Sequence, residues 1–116
     1  MTPNQRTIEE YMDGFRMTDH PRVLACLTDD VEWVLPGVFH ARGKDDFANH
    51  IVDEGFTGRP TITVNRMIEH HDVVVAEGTV RAAREDGTFL NLLFCDVFDM
   101  KDAKIRRLIS YLVVTR

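Results

Sequence analysis

The sequence predicts a single α+β domain in which three helices precede a meander of long antiparallel strands. Apolar residues recur at helical spacing in the first half of the chain, whereas from Thr61 onward they alternate as in strands. Short polar segments separate the later apolar runs, which is typical of hairpins. The 116 residues, 44% of them apolar, are enough for one hydrophobic core. We therefore expect one domain over residues 1–116, with a curved sheet wrapped around the helices.

The N-terminal segment is predicted to form two helices. The first covers Pro3 to Met17, because Thr2 and Gln5 have the spacing of a capping box and proline suits a first turn. Its inward face carries the apolar residues at helical spacing, namely Ile8, Tyr11, Met12 and Phe15. A second, short helix follows Asp19, and its apolar face consists of Val23, Leu24 and Leu27. Tyr11 should therefore point into the core.

A short strand and a third helix are expected next. Thr28-Asp29-Asp30 should end the second helix, and Val31 to Leu35 has the pattern of a strand. After the Pro36-Gly37 turn, a loop through His40 leads to a helix over Gly43 to Glu54. The apolar stripe of this helix holds Phe47, Ile51 and Glu54, with His50 beside it.

Four long strands are predicted in the second half of the chain. They are Thr61–Glu69, Val73–Arg84, Thr88–Asp99 and Ile105–Thr115. The gaps between them are short and polar, so consecutive strands should pair as antiparallel hairpins.

Asp96 is the most informative single residue. It lies inside the apolar run Leu92–Phe98, which has the pattern of a strand covered on both faces. Because burial of an unpartnered carboxylate is costly, the group must be paired, hydrogen-bonded or kept neutral by a raised pKa. A purely structural aspartate, bonded to an arginine such as Arg81 or to backbone amides, is the alternative to a functional one.

Charge and hydropathy exclude several classes of partner. The net charge of -5 is spread without long runs, so there is no basic stripe for nucleic acid and no polybasic patch for a membrane surface. No apolar stretch approaches the roughly 20 residues of a membrane span, and the N-terminus has no apolar signal core. Metal-ligand spacing and a glycine-rich phosphate loop are both missing from the sequence. We expect a cytoplasmic protein without metal or cofactor.

Five segments occur in an order and spacing that point to a known fold. They are Tyr11-Met12-Asp13-Gly14-Phe15, Leu27-Thr28-Asp29-Asp30-Val31-Glu32-Trp33, the Pro36-Gly37 turn, Gly43-Lys44-Asp45-Asp46-Phe47, and Asp96-Val97-Phe98 ahead of Lys104-Ile105-Arg106-Arg107. Together they resemble the nuclear transport factor 2-like superfamily, which includes ketosteroid isomerases and SnoaL-like polyketide cyclases. The resemblance covers essentially the whole chain. It implies a cone-shaped (cystatin-like) α+β fold, with a curved antiparallel sheet around three N-terminal helices.

The resemblance also implies a chemistry for two residues. In ketosteroid isomerases, the reference case of a carboxylic acid kept neutral by an apolar site, a helix tyrosine and a strand aspartic acid donate hydrogen bonds to a developing enolate oxygen. Tyr11 and Asp96 match those positions. The isomerases keep their aspartate base before the Pro-Gly turn, where this chain has Leu35, which argues against steroid isomerisation. SnoaL-like cyclases use one aspartic acid as acid/base for an aldol closure without cofactor or metal, and Asp96 with Tyr11 fits that use.

An apolar pocket in front of these two residues would hold the substrate. The side chains expected to line it are Trp33, Leu35, Phe47, Phe56, Phe94 and Phe98. His40 and His50 approach it from the loop and the third helix, and either offers a base in place of the missing aspartate. For the aromatic residues an ordinary core position is the alternative, and for the histidines a rim or surface position.

Two classes of function remain open at this point. The first is a small cofactor-free enzyme of the isomerase, cyclase or dehydratase kind that acts on an apolar carbonyl compound through Asp96 and Tyr11. The second is a non-catalytic protein that binds a small apolar ligand in the same pocket, or a dimeric structural or interaction module. If Asp96 faces the pocket, Leu93, Cys95 and Val97 face the opposite side of the sheet, and this apolar row predicts a homodimer.

Overall fold

The computed structural model describes residues 1–51 and 55–115. Its helices are α1 (Pro3–Arg16), α2 (His20–Leu24) and α3 (Lys44–Ile51). Its strands are β1 (Leu27–Leu35), β2 (Phe39–Arg42), β3 (Phe56–His70), β4 (Val73–Arg84), β5 (Phe89–Lys101) and β6 (Lys104–Thr115). Within the described ranges, no helix combines the length and apolarity needed to cross a membrane.

The six strands form one curved sheet in the order β2-β1-β6-β5-β4-β3. Every neighbouring pair is antiparallel except β1 and β6, which run parallel. The predicted α+β fold, a curved sheet around N-terminal helices, is confirmed. The sheet is mixed rather than wholly antiparallel, because the chain passes from β1 through β2 and α3 before the long hairpins bring β6 back beside β1.

The start of α1 and its contact with α2 follow from local sequence. The Thr2 hydroxyl accepts from the Gln5 amide at 3.1 Å, and the Gln5 side chain accepts from the Thr2 amide at 3.2 Å, so the predicted capping box is formed. Near the other end, a Cβ on Gly14 would lie 2.7 Å from a methyl carbon of Val23. Glycine is therefore what lets α2 pack this closely against α1.

Two elements near residue 30 differ from the prediction. α2 ends at Leu24, and β1 begins at Leu27 rather than Val31. Leu27 was expected on the helix, yet it pairs with Ile105 of β6 and is only 2% exposed. Parallel pairing with a distant strand thus extends β1 through Thr28-Asp29-Asp30, whose polarity suggested a break.

The segment expected as a loop through His40 is strand β2. Gly37 occupies the left-handed region at φ 80°, and the amide of Val38 donates to the carbonyl of Leu35 at 2.9 Å, which closes a tight turn. β2 then pairs with β1, with Ala41 opposite Trp33. A four-residue strand shows too little alternation for periodicity to reveal it.

Smaller differences concern the third helix and the long strands. α3 is observed over Lys44–Ile51, and the expected stripe position Glu54 lies outside the described residues. β3 begins at Phe56 rather than Thr61 and contains Pro60, which an edge strand tolerates. The run in β5 is not covered on both faces, since Leu93 is 47% exposed. One face of β5 therefore meets the core and the other meets solvent.

The hydrophobic core lies between the helices and the concave face of the sheet. Its largest fully buried side chains are Phe47, Phe98, Ile8, Ile105, Leu108, Val23, Val31 and Val74. Asp96 and Ser110 are buried beside this core at 8% and 4% exposure. Two polar groups are thus placed on the concave face, where most neighbours are apolar.

Candidate functional site

A cavity of about 230 Å³ lies between α1 and the concave face of the sheet, and we call it the inner cavity. Its lining combines one carboxyl and two hydroxyls with aromatic and aliphatic groups. The lining residues are Tyr11, Met12, Phe15, Trp33, Phe56, Pro60, Ile62, Val80, Ala82, Leu90, Leu92, Phe94, Asp96, Ser110 and Leu112. Asp96 carries the only carboxyl among these described lining residues.

The polar groups are gathered at the buried end of the inner cavity. β5 contributes every second residue to the wall, from Asp96 to Leu90. Asp96 and Phe94 are buried at 8% and 5% exposure, whereas Leu90 and Leu92 are only half-buried. At 3.3 Å per residue, this wall is about 20 Å long. The wall therefore runs from the buried Asp96 to the half-buried Leu90, and we call the part of the cavity at Asp96 its closed end.

The carboxyl of Asp96 has a pKa far above its ordinary value. Burial raises the pKa of its carboxyl from the ordinary 3.8 to about 7, and hydrogen bonding with the Ser110 hydroxyl opposes this rise only in part. Its oxygen Oδ1 is buried and has no hydrogen-bond partner among the described residues. An unpartnered oxygen on a cavity wall is available to a bound molecule, and a pKa near 7 allows it to accept or to release a proton.

Ser110 supports Asp96, and sequence reasoning missed this role. The two residues are directly opposite on β5 and β6. The indole N–H of Trp33 donates to Ser110 Oγ at 3.0 Å, so the serine hydroxyl hydrogen is free to point to the carboxyl. A signal was present, because Ser110 interrupts the apolar run from Leu108 to Val114 much as Asp96 interrupts its own.

Tyr11 provides the second polar group of the closed end. Its ring is 3% exposed and packs edge-on against Phe15, Phe47 and Phe98, with centroid distances of 4.9, 6.5 and 5.5 Å. Burial raises the pKa of its hydroxyl well above 10, and the negative charge of Asp96 raises it further. Tyr11 therefore keeps its proton at physiological pH, and its hydroxyl is able to donate a hydrogen bond.

The structural alternative for Asp96 does not match the observed contacts. The Arg81 guanidinium lies over the Phe89 ring, 3.9 Å from its centroid. Arg81 projects from the opposite face of β4, because it pairs with Asn91 whereas the cavity residue Ala82 pairs with Leu90. No salt bridge joins Asp96 to any described cation.

The predicted pocket residues divide into two groups. Trp33, Phe56 and Phe94 line the inner cavity together with Tyr11 and Asp96. The others lie outside its described lining. Phe47 is fully buried and stacks on Trp33 at 4.5 Å, and Phe98 is fully buried against Tyr11. These two support the wall from behind.

Leu35, His40 and His50 are away from the inner cavity. Leu35 pairs with Phe39 at the β1–β2 hairpin. The His40 imidazole lies 3.4 Å from Glu32, and the His50 imidazole lies 3.7 Å from Asp46. His50 also stacks on the Phe39 ring at 3.9 Å. Neither histidine is placed to serve as a base beside Asp96.

The convex face of the sheet carries the row that was expected to associate. Val97, Cys95 and Leu93 pair with Ile109, Tyr111 and Val113 of β6, on the face opposite Asp96. Leu93, Tyr111 and Val113 are 47%, 50% and 59% exposed. The apolar surface thus extends across two neighbouring strands.

Comparison with known proteins identifies the fold family. The sequence model of the SnoaL-like domain matches residues 8–108. Among solved structures, TerC co-crystallised with polyporic acid is 27% identical, with a TM-score of 0.85 over 97% of this chain and 92% of that one.

Two further structures share the fold at lower identity. A nuclear transport factor 2-like protein of unknown function from Burkholderia pseudomallei K96243 is 23% identical, with a TM-score of 0.87 and the same coverages of 97% and 92%. A putative SnoaL-like polyketide cyclase from Jannaschia sp. CCS1 is 15% identical, with a TM-score of 0.83 over 95% and 85%. Among curated protein sequences, none matches the chain. The family match covers most of its length, so the chain belongs to the SnoaL-like domain family, within the nuclear transport factor 2-like superfamily.

Proposed function

We propose that this protein is a cofactor-free enzyme of the isomerase, cyclase or dehydratase kind that removes a proton next to the carbonyl of an apolar substrate. The observation that carries this proposal is Asp96, with one unpartnered oxygen at the closed end of an apolar cavity and a pKa of about 7. A group with that pKa is half ionised at neutral pH, which suits a general base that must also return the proton.

The proposed step uses two groups with separate tasks. Ionised Asp96 accepts the α-proton through Oδ1, the electrons of the broken C–H bond form a carbon–carbon double bond, and the π electrons of the carbonyl move to its oxygen. Tyr11 donates a hydrogen bond to that oxygen as it becomes an enolate. Protonated Asp96 then gives the proton back, to another carbon for isomerisation or to a departing oxygen for dehydration. In a cyclase the enolate carbon attacks a second carbonyl, and the proton goes to the new alkoxide.

The comparison with TerC supports an organic molecule in the cavity. TerC was co-crystallised with polyporic acid and is 27% identical to this chain. We extend from that protein only the class of occupant, a small organic compound. The reaction itself rests on the geometry of Asp96 and Tyr11.

A non-catalytic binding protein is the second candidate. The observation that favours it is Leu35, an apolar residue in place of the aspartate base of the isomerases. In that case Asp96 and Tyr11 would only hydrogen-bond a ligand. The two candidates differ in whether a bound ketone exchanges its α-protons.

The test is deuterium exchange at the α-carbon of small ketones. 2-Tetralone and 1-indanone are incubated with the protein in D₂O, and loss of the α-proton signal is followed by ¹H NMR. We expect exchange faster than in buffer, with a rate that rises with pH to a plateau above about pH 7, since the base is the ionised form. Asp96→Asn should reduce exchange to the buffer rate. Tyr11→Phe should slow it by about a hundredfold, because one oxyanion donor is lost.

The matched control is Asp99→Asn, which removes a carboxylate from the same strand but outside the cavity lining. It should exchange ketones as the wild type does. If ketones bind without any exchange above buffer, the binding protein is the correct assignment. A rate that falls as Asp96 ionises would instead show that Asp96 acts as a protonated donor and that another group is the base.

A further inference from the structure

Trp33 is connected to the buried carboxyl of Asp96 through one intervening residue, Ser110. Its indole N–H donates to Ser110 Oγ at 3.0 Å, and Ser110 lies directly opposite Asp96 in the pairing of β5 with β6. The Ser110 hydroxyl in turn hydrogen-bonds with the Asp96 carboxyl. Trp33 lies on β1, the strand next to β6. The three polar groups therefore form one hydrogen-bonded chain across three neighbouring strands.

The direction of this chain follows from what each group can donate. An indole nitrogen only donates, whereas a serine hydroxyl has one hydrogen and two lone pairs. Since Ser110 Oγ accepts from Trp33, its own hydrogen is left for the carboxyl. An ionised carboxylate only accepts, and hydrogen bonds to an ionised acceptor are the stronger ones. The order Trp33 to Ser110 to Asp96 therefore matches the ionised form at every link.

Two aromatic neighbours hold the indole in place. It stacks on Phe47 with 4.5 Å between the ring centroids and an interplanar angle of 26°, and it meets Phe39 edge-on at 5.1 Å. Phe47 is itself fully buried in the core. Packing from two sides leaves the indole little room to turn, so its N–H stays directed at Ser110.

The other groups that face Asp96 are few. α1 presents Tyr11, the only other ionisable side chain of the described inner-cavity lining, and Tyr11 keeps its proton at neutral pH. β4 presents Ala76, which pairs directly with Asp96, and the adjacent Cys95 projects from the other face of the sheet. The hydrogen bond from Ser110 is therefore the described contact that favours the ionised carboxylate.

We propose that Trp33 is a positioning residue for the base of this site: its indole N–H fixes the Ser110 hydroxyl as a donor to Asp96 and so favours the ionised carboxylate. Trp33 acts through Ser110 and takes no direct part in proton transfer. This inference rests on the proposed function, because it concerns the base of the same reaction, but it is tested on the carboxyl itself.

The test is a double-mutant cycle on the pKa of Asp96, measured by ¹³C NMR titration of its carboxyl in wild type, Trp33→Phe, Ser110→Ala and the double variant. Trp33→Phe keeps an aromatic ring and removes the N–H. We expect it to raise the pKa by about 0.5, and Ser110→Ala to raise it by about 1. In the double variant Trp33→Phe should add nothing, because the residue through which it acts is gone.

An equal rise with and without Ser110 would overturn the inference, since Trp33 would then act only by filling space. The matched control for volume is 3-(3-benzothienyl)alanine in place of Trp33, which keeps the bicyclic shape and has sulfur where the indole has N–H. It should raise the pKa as Trp33→Phe does, and an unchanged pKa would refute the role of the N–H.

Trp33 is the only tryptophan of the chain, so its fluorescence gives a second measurement in the unmodified protein. Its emission should change with pH at the same midpoint as the ¹³C signal of Asp96, and this change should be absent in Asp96→Asn. The His50 imidazole stacks on Phe39, one ring away from the indole, and any signal from it would remain in that variant. Identical emission of the two proteins throughout the titration would overturn the inference.

Failure of this inference and failure of the proposed function give different results. If the wild type exchanges 2-tetralone and Trp33→Phe leaves the pKa of Asp96 unchanged, only the positioning role is refuted. If Trp33→Phe raises the pKa as expected and no ketone is exchanged, the positioning role is retained and the proposed function is refuted. Where both hold, Trp33→Phe should also move the midpoint of the pH profile of exchange upward by about 0.5.

Discussion

Replacement of Asp96 by asparagine should stabilise the protein, and should do so increasingly as the pH rises. In the folded state the pKa of this carboxyl is about 7, whereas the ordinary value for an exposed aspartate is 3.8. Between those two values the folded chain holds a proton that the unfolded chain has lost. Folding of the wild type therefore takes up a proton in this window, and its free energy of unfolding falls as pH increases.

The magnitude follows from the size of the shift. At about 1.4 kcal/mol per pKa unit, a rise from 3.8 to about 7 removes about 4 kcal/mol of wild-type stability once Asp96 is fully ionised. From about pH 5 to about pH 8.5 the loss is about 3 kcal/mol, since little changes above pH 7. Asparagine has nearly the same shape and does not titrate, so the variant lacks this loss.

The assay is urea unfolding followed by circular dichroism, for wild type and Asp96→Asn at both pH values. All other titrating groups are common to the two proteins, so the difference between them isolates Asp96. We expect the advantage of the variant to be about 3 kcal/mol larger at the higher pH. Asp99→Asn, on the same strand but outside the cavity, serves as the control. The same advantage at both pH values would mean that the buried carboxyl does not titrate near neutrality, and the reasoning about its role as a base would be wrong.

Three further predictions concern the support of the site and the sheet. Ser110→Ala should raise the pKa of Asp96 above about 7, because a hydrogen-bond donor to the carboxylate is lost. The measurement is a ¹³C NMR titration of that carboxyl, and an unchanged pKa would mean that the serine only fills space. Val97→Lys should convert an expected homodimer into a monomer by light scattering, and an unchanged dimer would place the interface elsewhere. Gly78→Ala should destabilise the protein by about 3 kcal/mol in thermal or urea unfolding, since its Cβ would lie 1.8 Å from a β3 carbonyl oxygen. Gly87→Ala is the control, because a Cβ there would meet nothing within 4 Å, and it should cost only about 1 kcal/mol from the strain of a φ of 86°. Similar losses of stability in the two variants would contradict the close approach of β3 to Gly78.

The parts of the fold that sequence reasoning predicted are those with strong local signals. The capping box gave the start of α1, and the short polar gaps gave the hairpins of β3 to β6. Leu27 and β2 were missed because their structure depends on pairing with other strands. Leu27 pairs with Ile105, 78 positions later in the chain, and no local pattern in either segment indicates that contact.

In the candidate site too, local sequence patterns identified some residues, whereas contacts between residues far apart in the chain were not predicted. Asp96 stood out because a carboxylate interrupts an apolar run, and Tyr11 because helical spacing turned it inward. The contact from Trp33 to Ser110 joins residues 77 positions apart, and it became visible only once β1 and β6 were known to be neighbours. His40 and His50 were considered because of their chemistry alone, and the β1–β2 hairpin and α3 direct them to Glu32 and Asp46 instead.

The contacts of Asp96 also bear on its proposed role as a base, because a buried carboxylate at this position is costly. An apolar side chain there would avoid the cost of about 4 kcal/mol that ionisation imposes, and the surrounding core is apolar. An arginine beside the carboxylate would also avoid this cost, because its positive charge would hold the pKa of Asp96 low. Among the described residues Asp96 has no such cation beside it, and the one hydroxyl that Ser110 supplies lowers the pKa only in part. Burial without that hydroxyl would raise the pKa further and favour the protonated form, whereas a salt bridge would lower the pKa and leave a more weakly basic carboxylate. The intermediate arrangement leaves Oδ1 without a partner, and this is the condition under which one carboxyl can both remove and return a proton near pH 7.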